Sequence, residues 1–541
     1  MSRTLTERVP RVSIDKDTTA RSWPAARSLA RIEGRHLLRS PLVLAGLAFA
    51  LLPGLGTGVW VPDLRASSAD SAFMCLMLAA GTLVATNLAA LRSRRHGTEE
   101  LLGTSPAPPT VRTGAHLLSV AGPVVMALVV VAVSLASDLL RRQAYGRPDL
   151  AELAVGPLLV AGAGALGVLL ARWMPSALVA PVACVAIAAF ELFMNSSALV
   201  VATGWRWLGF WLQAGDIDLM PPRPARWHLV YLGGLITLAA VGALARHGLG
   251  RPVVVAGSVA LAVTAVAAAA QMRPVSSETW AARNALLSNP EASQVCQERT
   301  EVRYCAFPAD APLVARWAEV VAGVRANVPP AAWPAGLAVT QRFTPGDLQY
   351  TPQKLREVLP DLPARGTPLP DDGDVHPGSN WTTDGATALS LGLGVASRVV
   401  GLPLAPPGPA ALCDAAGQGR AVVALWLGAR ATPNAASALR RAAPPDVVGL
   451  EGRPYLVQVE TSVQQAVAWG AVEVDHARAL LNRPVPEVAT ALDRHWDRLT
   501  DPATTTAEAA TLLGLPAVPA GAVDSARPSQ LRLGPPCGGT G

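Results

Sequence analysis

Long apolar stretches alternate with short polar ones over the first half of the chain, and the alternation stops near residue 271. A helix needs about 20 mostly apolar residues to cross a bilayer. Seven stretches meet this pattern, at about 42–61, 72–91, 117–137, 153–171, 177–194, 229–245 and 253–270. Several are rich in glycine and alanine, which lets helices approach closely in lipid. The last three are short, and Glu191 lies in the fifth. A charge at that depth is costly unless it reaches the interface or faces protein. Glu191 therefore reads either as an outer-end carboxylate with access to water, the plainer reading, or as a pathway residue.

Beyond residue 271 the pattern becomes mixed. Helical periodicity is expected near 310–325, 352–358, 384–400, 412–428, 433–442, 462–482, 486–499 and 505–514, and short strands near 337–343 and 454–459. Prolines punctuate the joints. The expected fold is mostly α: a polytopic helical membrane domain of about seven spans, then a mainly α, minor β extracytoplasmic domain. The boundaries fall at 1–41 for a tail and surface helix, 42–271 for the membrane domain and 272–541 for the outer domain.

Composition agrees. Charged residues make up 16% of the 541, below the roughly 25% of soluble domains. Among the basic residues only Lys16 and Lys354 are lysine, a bias that fits a GC-rich bacterial genome. The net charge is +6, but the arginines are dispersed beside apolar spans, so nucleic acid is not the expected partner. The polar stretch before the first span is too long for the n-region of a cleavable signal peptide. With the N terminus in the cytoplasm, the inner segments carry more than twice as many basic residues as the outer loops. Arg141 and Arg142 run locally against that orientation. Seven spans then put the C-terminal region outside, in the bacterial cell membrane's extracytoplasmic space.

Two polar segments stand out on the inner side. In "PAARSLARIEGRHLLRSP", Arg27, Arg31, Arg35 and Arg39 recur every four residues and fill one sector of a helix. Ala26, Leu29, Ala30 and Leu37 fall largely opposite, with Glu33 interrupting their face. A basic amphipathic helix on membrane lipid is the expectation. The second segment runs from Arg92 to Ala115. "RSRR" anchors the end of the second span. Thr98 is suited to cap a short helix, with Glu99 and Glu100 favoured in its first turn and Leu101 and Leu102 on an apolar side. Pro106, Pro108 and Pro109 prevent its continuation, and Thr110 can cap the next helix. Such a helix can dock into a groove on a cytoplasmic partner.

The run "RRHGTEELLGTSPAPPTVRTGAHLL" resembles the first cytoplasmic loop of ABC-2-type ABC transporter permeases, as found in actinobacteria. "LARIEGRHLLRSPL" is similar to that family's approach to its first span, and the likeness covers residues 24–270. It implies that Thr98, Glu99, Glu100, Leu101 and Leu102 couple to an ATP-binding subunit, and that Glu33 and Arg35 belong to the surface helix. "NSSALVVATGWRWLGFWLQAGDIDLMPPRPARW" resembles the re-entrant helices between the family's last two core spans. Trp205, Trp207, Trp211 and Trp227 suit the headgroup level. A seventh span departs from the family's six-span core. The stretch from "YCAFPADAPLVARWAEVVAGV" to "LDRHWDRLTDP" is similar to C-terminal regions of actinobacterial permeases, and no chemistry is attached to it.

ATP chemistry needs a P-loop lysine within a glycine-rich turn. Neither "SIDKDTT" nor "TPQKLRE" has the glycines, so any ATP is expected on a separate subunit, with a second permease copy or paralogue completing the pore. No cofactor is expected on this chain. The outer region offers His376, His476 and His495 without a zinc or nucleophile motif, and the Asp371–Asp374 cluster lacks calcium-loop spacing. No catalytic and no metal residue is assigned. Cys296, Cys305, Cys413 and Cys537 permit three pairings. The short loop "CQERTEVRYC" favours Cys296 with Cys305 in an oxidising compartment, over a zinc site. The expected function is a permease subunit of an ABC exporter. The alternative is a membrane-anchored extracytoplasmic peptidase-like, binding or sensor protein.

Overall fold

A computed structural model describes residues 16–55, 61–98, 108–140, 143–196, 204–211, 223–342, 360–361, 373–378, 381–404, 412–442, 467–517 and 533–537. The first half is helical. Five helices are long and apolar enough to cross a membrane: Leu64–Ala90, Pro109–Leu140, Leu150–Trp173, Ala225–Ala245 and Arg251–Gln271. A sixth exists if Pro24–Leu38 and Pro41–Leu52 count as one span bent by 59°. Seven spans are not reached by this measure. The first expected span appears as a 15-residue helix, Pro41–Leu55, and the fifth as the 18-residue helix Val179–Ser196.

We number the membrane-region helices α1 (Lys16–Leu38), α2 (Pro41–Leu55), α3 (Leu64–Met74), α4 (Leu76–Ala90), α5 (Arg92–Arg95), α6 (Pro109–Ser119), α7 (Ala121–Leu140), α8 (Leu150–Trp173), α9 (Val179–Ser196), α10 (Ala225–Ala245) and α11 (Arg251–Gln271). Local chemistry sets their starts. Asp149 caps α8, its Oδ1 accepting from the Ala151 N–H at 2.8 Å and the Glu152 N–H at 3.4 Å. Asp63 does the same for α3 through Arg65 N–H. At α6 the first helical residue is Pro109, and Pro108 occupies the cap position without a side-chain bond. Thr110 therefore lies inside the helix and is not its cap. Proline suits that position because its missing N–H would have no helical partner.

Small residues bring the helices together. Gly81 lies against the Leu42 carbonyl, and Gly167 against Thr86 and the Leu83 carbonyl, where a methyl group would collide with backbone. Asn87 donates from Nδ2 to the Gly167 carbonyl at 3.3 Å, and Thr82 and Thr86 bond back to carbonyls of their own helix. Lipid provides no solvent contrast, so such close contact and internal satisfaction of polar groups hold the bundle.

After α11 comes α12 (Ser277–Ser288), then a second body of structure with its own core. The hairpin β1 (Val295–Arg299) and β2 (Val302–Ala306) is antiparallel, and β3 (Ala338–Thr340) joins β2 in parallel. Its turn residues Thr300 and Glu301 both have positive φ, 51° and 66°, the backbone of a type I′ turn. Arg325 braces this turn from Nη1 to the Thr300 carbonyl and from Nη2 to Glu301, both at 2.8 Å. The remaining elements are α13 (Val314–Arg325), α14 (Ala386–Val399), β4 (Leu412–Asp414), α15 (Gly419–Arg430), α16 (Pro433–Arg441), β5 (Val467–Ala468), α17 (Ala471–Leu481), α18 (Val485–Thr500), α19 (Thr506–Leu512) and β6 (Leu533–Pro536). β4 is central between β5 and β6, parallel to both. Where helix was expected from 412 and from 462, the structure has β4 and β5 leading into α15 and α17. The expected elements at 352–358 and 454–459 lie outside the described residues.

α15 is the centre of this core: Ala421–Ala429 is buried on every side, as expected for a helix that is apolar all round. Trp317, Trp426 and Trp469 are the largest side chains enclosed with it. The same core takes in Val61 from the loop after α2, and Tyr145 from the loop after α7 packs on it. Hydrogen bonds reinforce this contact. The Val61 N–H donates to the Trp381 carbonyl at 2.7 Å, the Tyr145 hydroxyl to Asp310 at 2.9 Å, and Arg316 to the Gln143 carbonyl at 3.0 Å.

Candidate functional site

The membrane helices have two unlike ends. One is rich in arginine and holds α1, α5, the start of α6 and the connection from α10 to α11. In α1, Arg27, Arg31, Arg35 and Arg39 are exposed, while Ala26 and Leu37 are buried and Leu29 and Ala30 half-buried. Gly34 rests on the Ser119 backbone and Leu38 on Gly122, so α1 lies along α6. Glu33, which breaks the apolar face in sequence, is half-buried and accepts from Arg92 Nη1 at 3.3 Å on each oxygen. The pair ties the surface helix to the end of α4. Its strength is about 0–1 kcal/mol at most, because Arg92 is exposed.

Thr98 is turned backwards, with its N–H donating to the Ser93 carbonyl at 2.9 Å and its hydroxyl to the same oxygen at 3.3 Å. In the described part it closes the α5 turn. Glu99, Glu100, Leu101 and Leu102 lie outside the described residues. Close by, Thr113 Oγ1 and His247 Nε2 are 2.8 Å apart. Burial holds the His247 pKa below its usual range, with Arg172, Arg246 and Arg112 adding to the effect. Arg246 lies over the Trp173 ring at 6.0 Å, and Trp173 Nε1 donates to the Gly242 carbonyl at 2.8 Å.

The opposite end faces the second core. Here the described part of the tryptophan-rich segment holds a 3-10 helix, Gly204–Leu208, with Gly204 pressed on the Met272 backbone. The four tryptophans do not share one environment. Trp205 and Trp227 are exposed, Trp207 is buried with Arg206 over its ring at 4.7 Å, and Trp211 packs on Phe73 at 4.7 Å. Two carboxylates strap this segment down. Glu191 accepts from the Phe210 N–H at 2.8 Å and the Trp211 N–H at 3.1 Å. It is 5% exposed, so the expectation of a water-reached carboxylate is corrected: the side chain is buried and backbone N–H groups meet both of its oxygens. Glu152, in the first turn of α8, pairs with Arg223 through the guanidinium nitrogens Nε and Nη2. Both side chains are buried. Behind them His228 Nδ1 meets Gln271 Oε1 at 3.2 Å, joining α10 to α11.

Sequence reading passed over the Glu152–Arg223 pair. The one available signal was a charge immediately before the apolar run at 153–171. Its partner is 71 residues away, which pattern alone does not supply.

The second core has no group of three or more metal-ligating side chains among the described residues. His376 Nδ1 bonds the Thr340 carbonyl at 2.8 Å, and Asp374 accepts from the Thr340 hydroxyl at 2.6 Å. Asp475 pairs with Arg478 along α17. His476 is buried on that helix, its pKa lowered by desolvation. Cys296 is bonded to Cys305, its direct partner across the hairpin, and Cys413 to Cys537. Beside the second bridge, Glu473 accepts from the Gly417 N–H at 2.9 Å and from the Thr506 hydroxyl. Burial raises its pKa against those two bonds. These contacts join elements of the fold, while the buried His476 Nε2 makes no hydrogen bond among the described residues. Compared with known proteins, the chain matches no family model, no curated protein and no solved structure.

Proposed function

We propose that this chain is the transmembrane permease subunit of an ABC exporter, moved by a separate ATP-binding subunit that grips the arginine-rich end. The observation that carries the reading is the coupling of two cytoplasm-facing pieces. α1 is bent by 59° from α2 and lies along α6, and Glu33 holds Arg92. A subunit pressing on residues 92–115 therefore moves the surface helix and the feet of three spans together. That is the mechanical requirement for driving alternating access from outside the membrane.

In this reading α9 and the bent α1–α2 pair complete seven passes in the bacterial cell membrane. The N terminus and the loops at 92–108, 173–178 and 246–250 are cytoplasmic, and residues 272–541 are extracytoplasmic. Thr98, Glu99, Glu100, Leu101 and Leu102 receive the ATP-binding subunit, which carries the ATP. A second permease copy or paralogue completes the pore. The disulfides of the C-terminal region fit the oxidising side.

Purification of the full chain from its native membrane in mild detergent should bring down a P-loop protein. Changing Glu99 and Glu100 together to alanine should lower export while membrane insertion stays intact. Unchanged export in that variant, or in a strain lacking the ATPase, would sink the proposal.

A further inference from the structure

Along one exposed side of α10 and α11 runs an open groove of about 930 Å³. Its floor is made by Gly233 and Gly234, and its wall by Val255, Val259 and Val263, which are exposed. Nothing lies within 4 Å of the position a Cβ would take at Gly233, so the floor is open. The Thr237 hydroxyl in the groove is satisfied by the Gly233 carbonyl at 2.8 Å. The polar end of the groove is Arg251, the first residue of α11, which is exposed and makes no hydrogen bond or ion pair among the described residues. The helix start is itself uncapped by any side chain, because Gly250 stands at the cap position. The Arg251 guanidinium and backbone N–H thus meet at one end of an apolar trough, while Pro252 has no N–H and the Val253 and Val254 N–H groups bond the Gly250 carbonyl.

The dimensions select an occupant. Arg251 to Val263 rises about 18 Å at 1.5 Å per residue, close to the roughly 15 Å of one leaflet's hydrocarbon. Arg251 lies at the same end as Arg112, Arg172 and Arg246, whose fields converge on His247. We infer that the groove binds one anionic glycerophospholipid of the cytoplasmic leaflet. Its phosphate sits on the guanidinium and backbone N–H of Arg251, and an acyl chain lies along Gly233, Gly234, Val255, Val259 and Val263. A second copy of the chain is disfavoured there. A two-fold axis along the membrane normal would set Arg251 against Arg251, and no carboxylate lines the groove to offset the repulsion.

The inference uses the orientation proposed above and is independent of ATP coupling. Protease accessibility of residues 272–541 in intact cells checks that orientation separately. The probe is the full chain reconstituted in nanodiscs containing equal phosphatidylglycerol and phosphatidylcholine, followed by native mass spectrometry of retained lipid. Wild type should keep phosphatidylglycerol in preference. Arg251→Gln should cut that preference about five-fold, the weight of one basic residue at an anionic surface. Gly233→Leu, which fills the trough, should remove the bound lipid of either kind. Arg147→Gln, an exposed arginine at the other end, should leave retention unchanged. Equal retention in wild type and Arg251→Gln overturns the inference. So does a wild-type chain dimer that carries no lipid and that Gly233→Leu dissociates.

Discussion

Removing the Cys413–Cys537 bridge should cost far more stability than removing Cys296–Cys305. The two bridges close loops of very different length, with sequence separations of 124 and 9. In the chain-entropy account, a cross-link stabilises by restricting the unfolded chain, at about 4.9 kcal/mol for the long loop and about 2.6 kcal/mol for the short one. The long bridge also holds local structure. It fixes β6 beside β4, and the Cys537 carbonyl accepts from buried Arg420 and from Gln418 at 3.1 Å. With β6 loose, the Arg420 guanidinium keeps the Gly401 carbonyl and Gln418 but loses one acceptor. The assay is thermal unfolding of the full chain in detergent, read by proteolysis of the C-terminal region. Cys413→Ser with Cys537→Ser should lower the midpoint by about 10–20 °C, against about 5–10 °C for the Cys296→Ser, Cys305→Ser pair. Thiol titration of the unfolded protein controls the premise. Of the 6 cysteines, only Cys75 and Cys184 should react without reductant. The reasoning fails if the two double variants lose equal stability, or if all the thiols react before reduction.

Two further outcomes follow from buried charge. Glu473 has a folded pKa raised above its ordinary value of 4.5, first by burial. The stability tied to its protonated form is full below that value and is lost as pH rises through the raised pKa, levelling off above it. Glu473→Gln should flatten this part of the pH–stability curve, as measured by unfolding midpoints between pH 4 and 8; an unchanged slope contradicts the assignment. At the other buried site, Glu152→Gln should cost about 3–5 kcal/mol by leaving Arg223 in the interior without its carboxylate. The double change Glu152→Leu with Arg223→Leu should recover most of that loss in monodisperse yield from detergent, and a double variant no better than the single one refutes an ionic origin.

Hydrophobic periodicity carried the main features of the first half. The apolar runs near 117–137, 153–171 and 253–270 are the centres of Pro109–Leu140, Leu150–Trp173 and Arg251–Gln271. They are legible because a spanning helix satisfies its backbone within itself and must be apolar over a set length. The arginine face of α1 was legible for the same reason, since its period is that of the helix.

Elements that depend on distant partners were not legible. The hairpin at β1 and β2 turns on Thr300 and Glu301, residues with no sequence signal for positive φ, and Arg325 from α13 braces that turn. β4 and β5 were read as helix because two- and three-residue strands exist only through their pairing with each other and with β6. Glu191 looked like a carboxylate in need of water until Phe210 and Trp211 supplied their N–H groups. Glu33 looked like a flaw in an apolar face until Arg92 met it. The chain alone determined which segments are greasy, how long they are and where arginine collects, because those properties are local. Only the tertiary structure decided which charges meet, since a buried charge is tolerable only beside partners that folding brings from far along the chain.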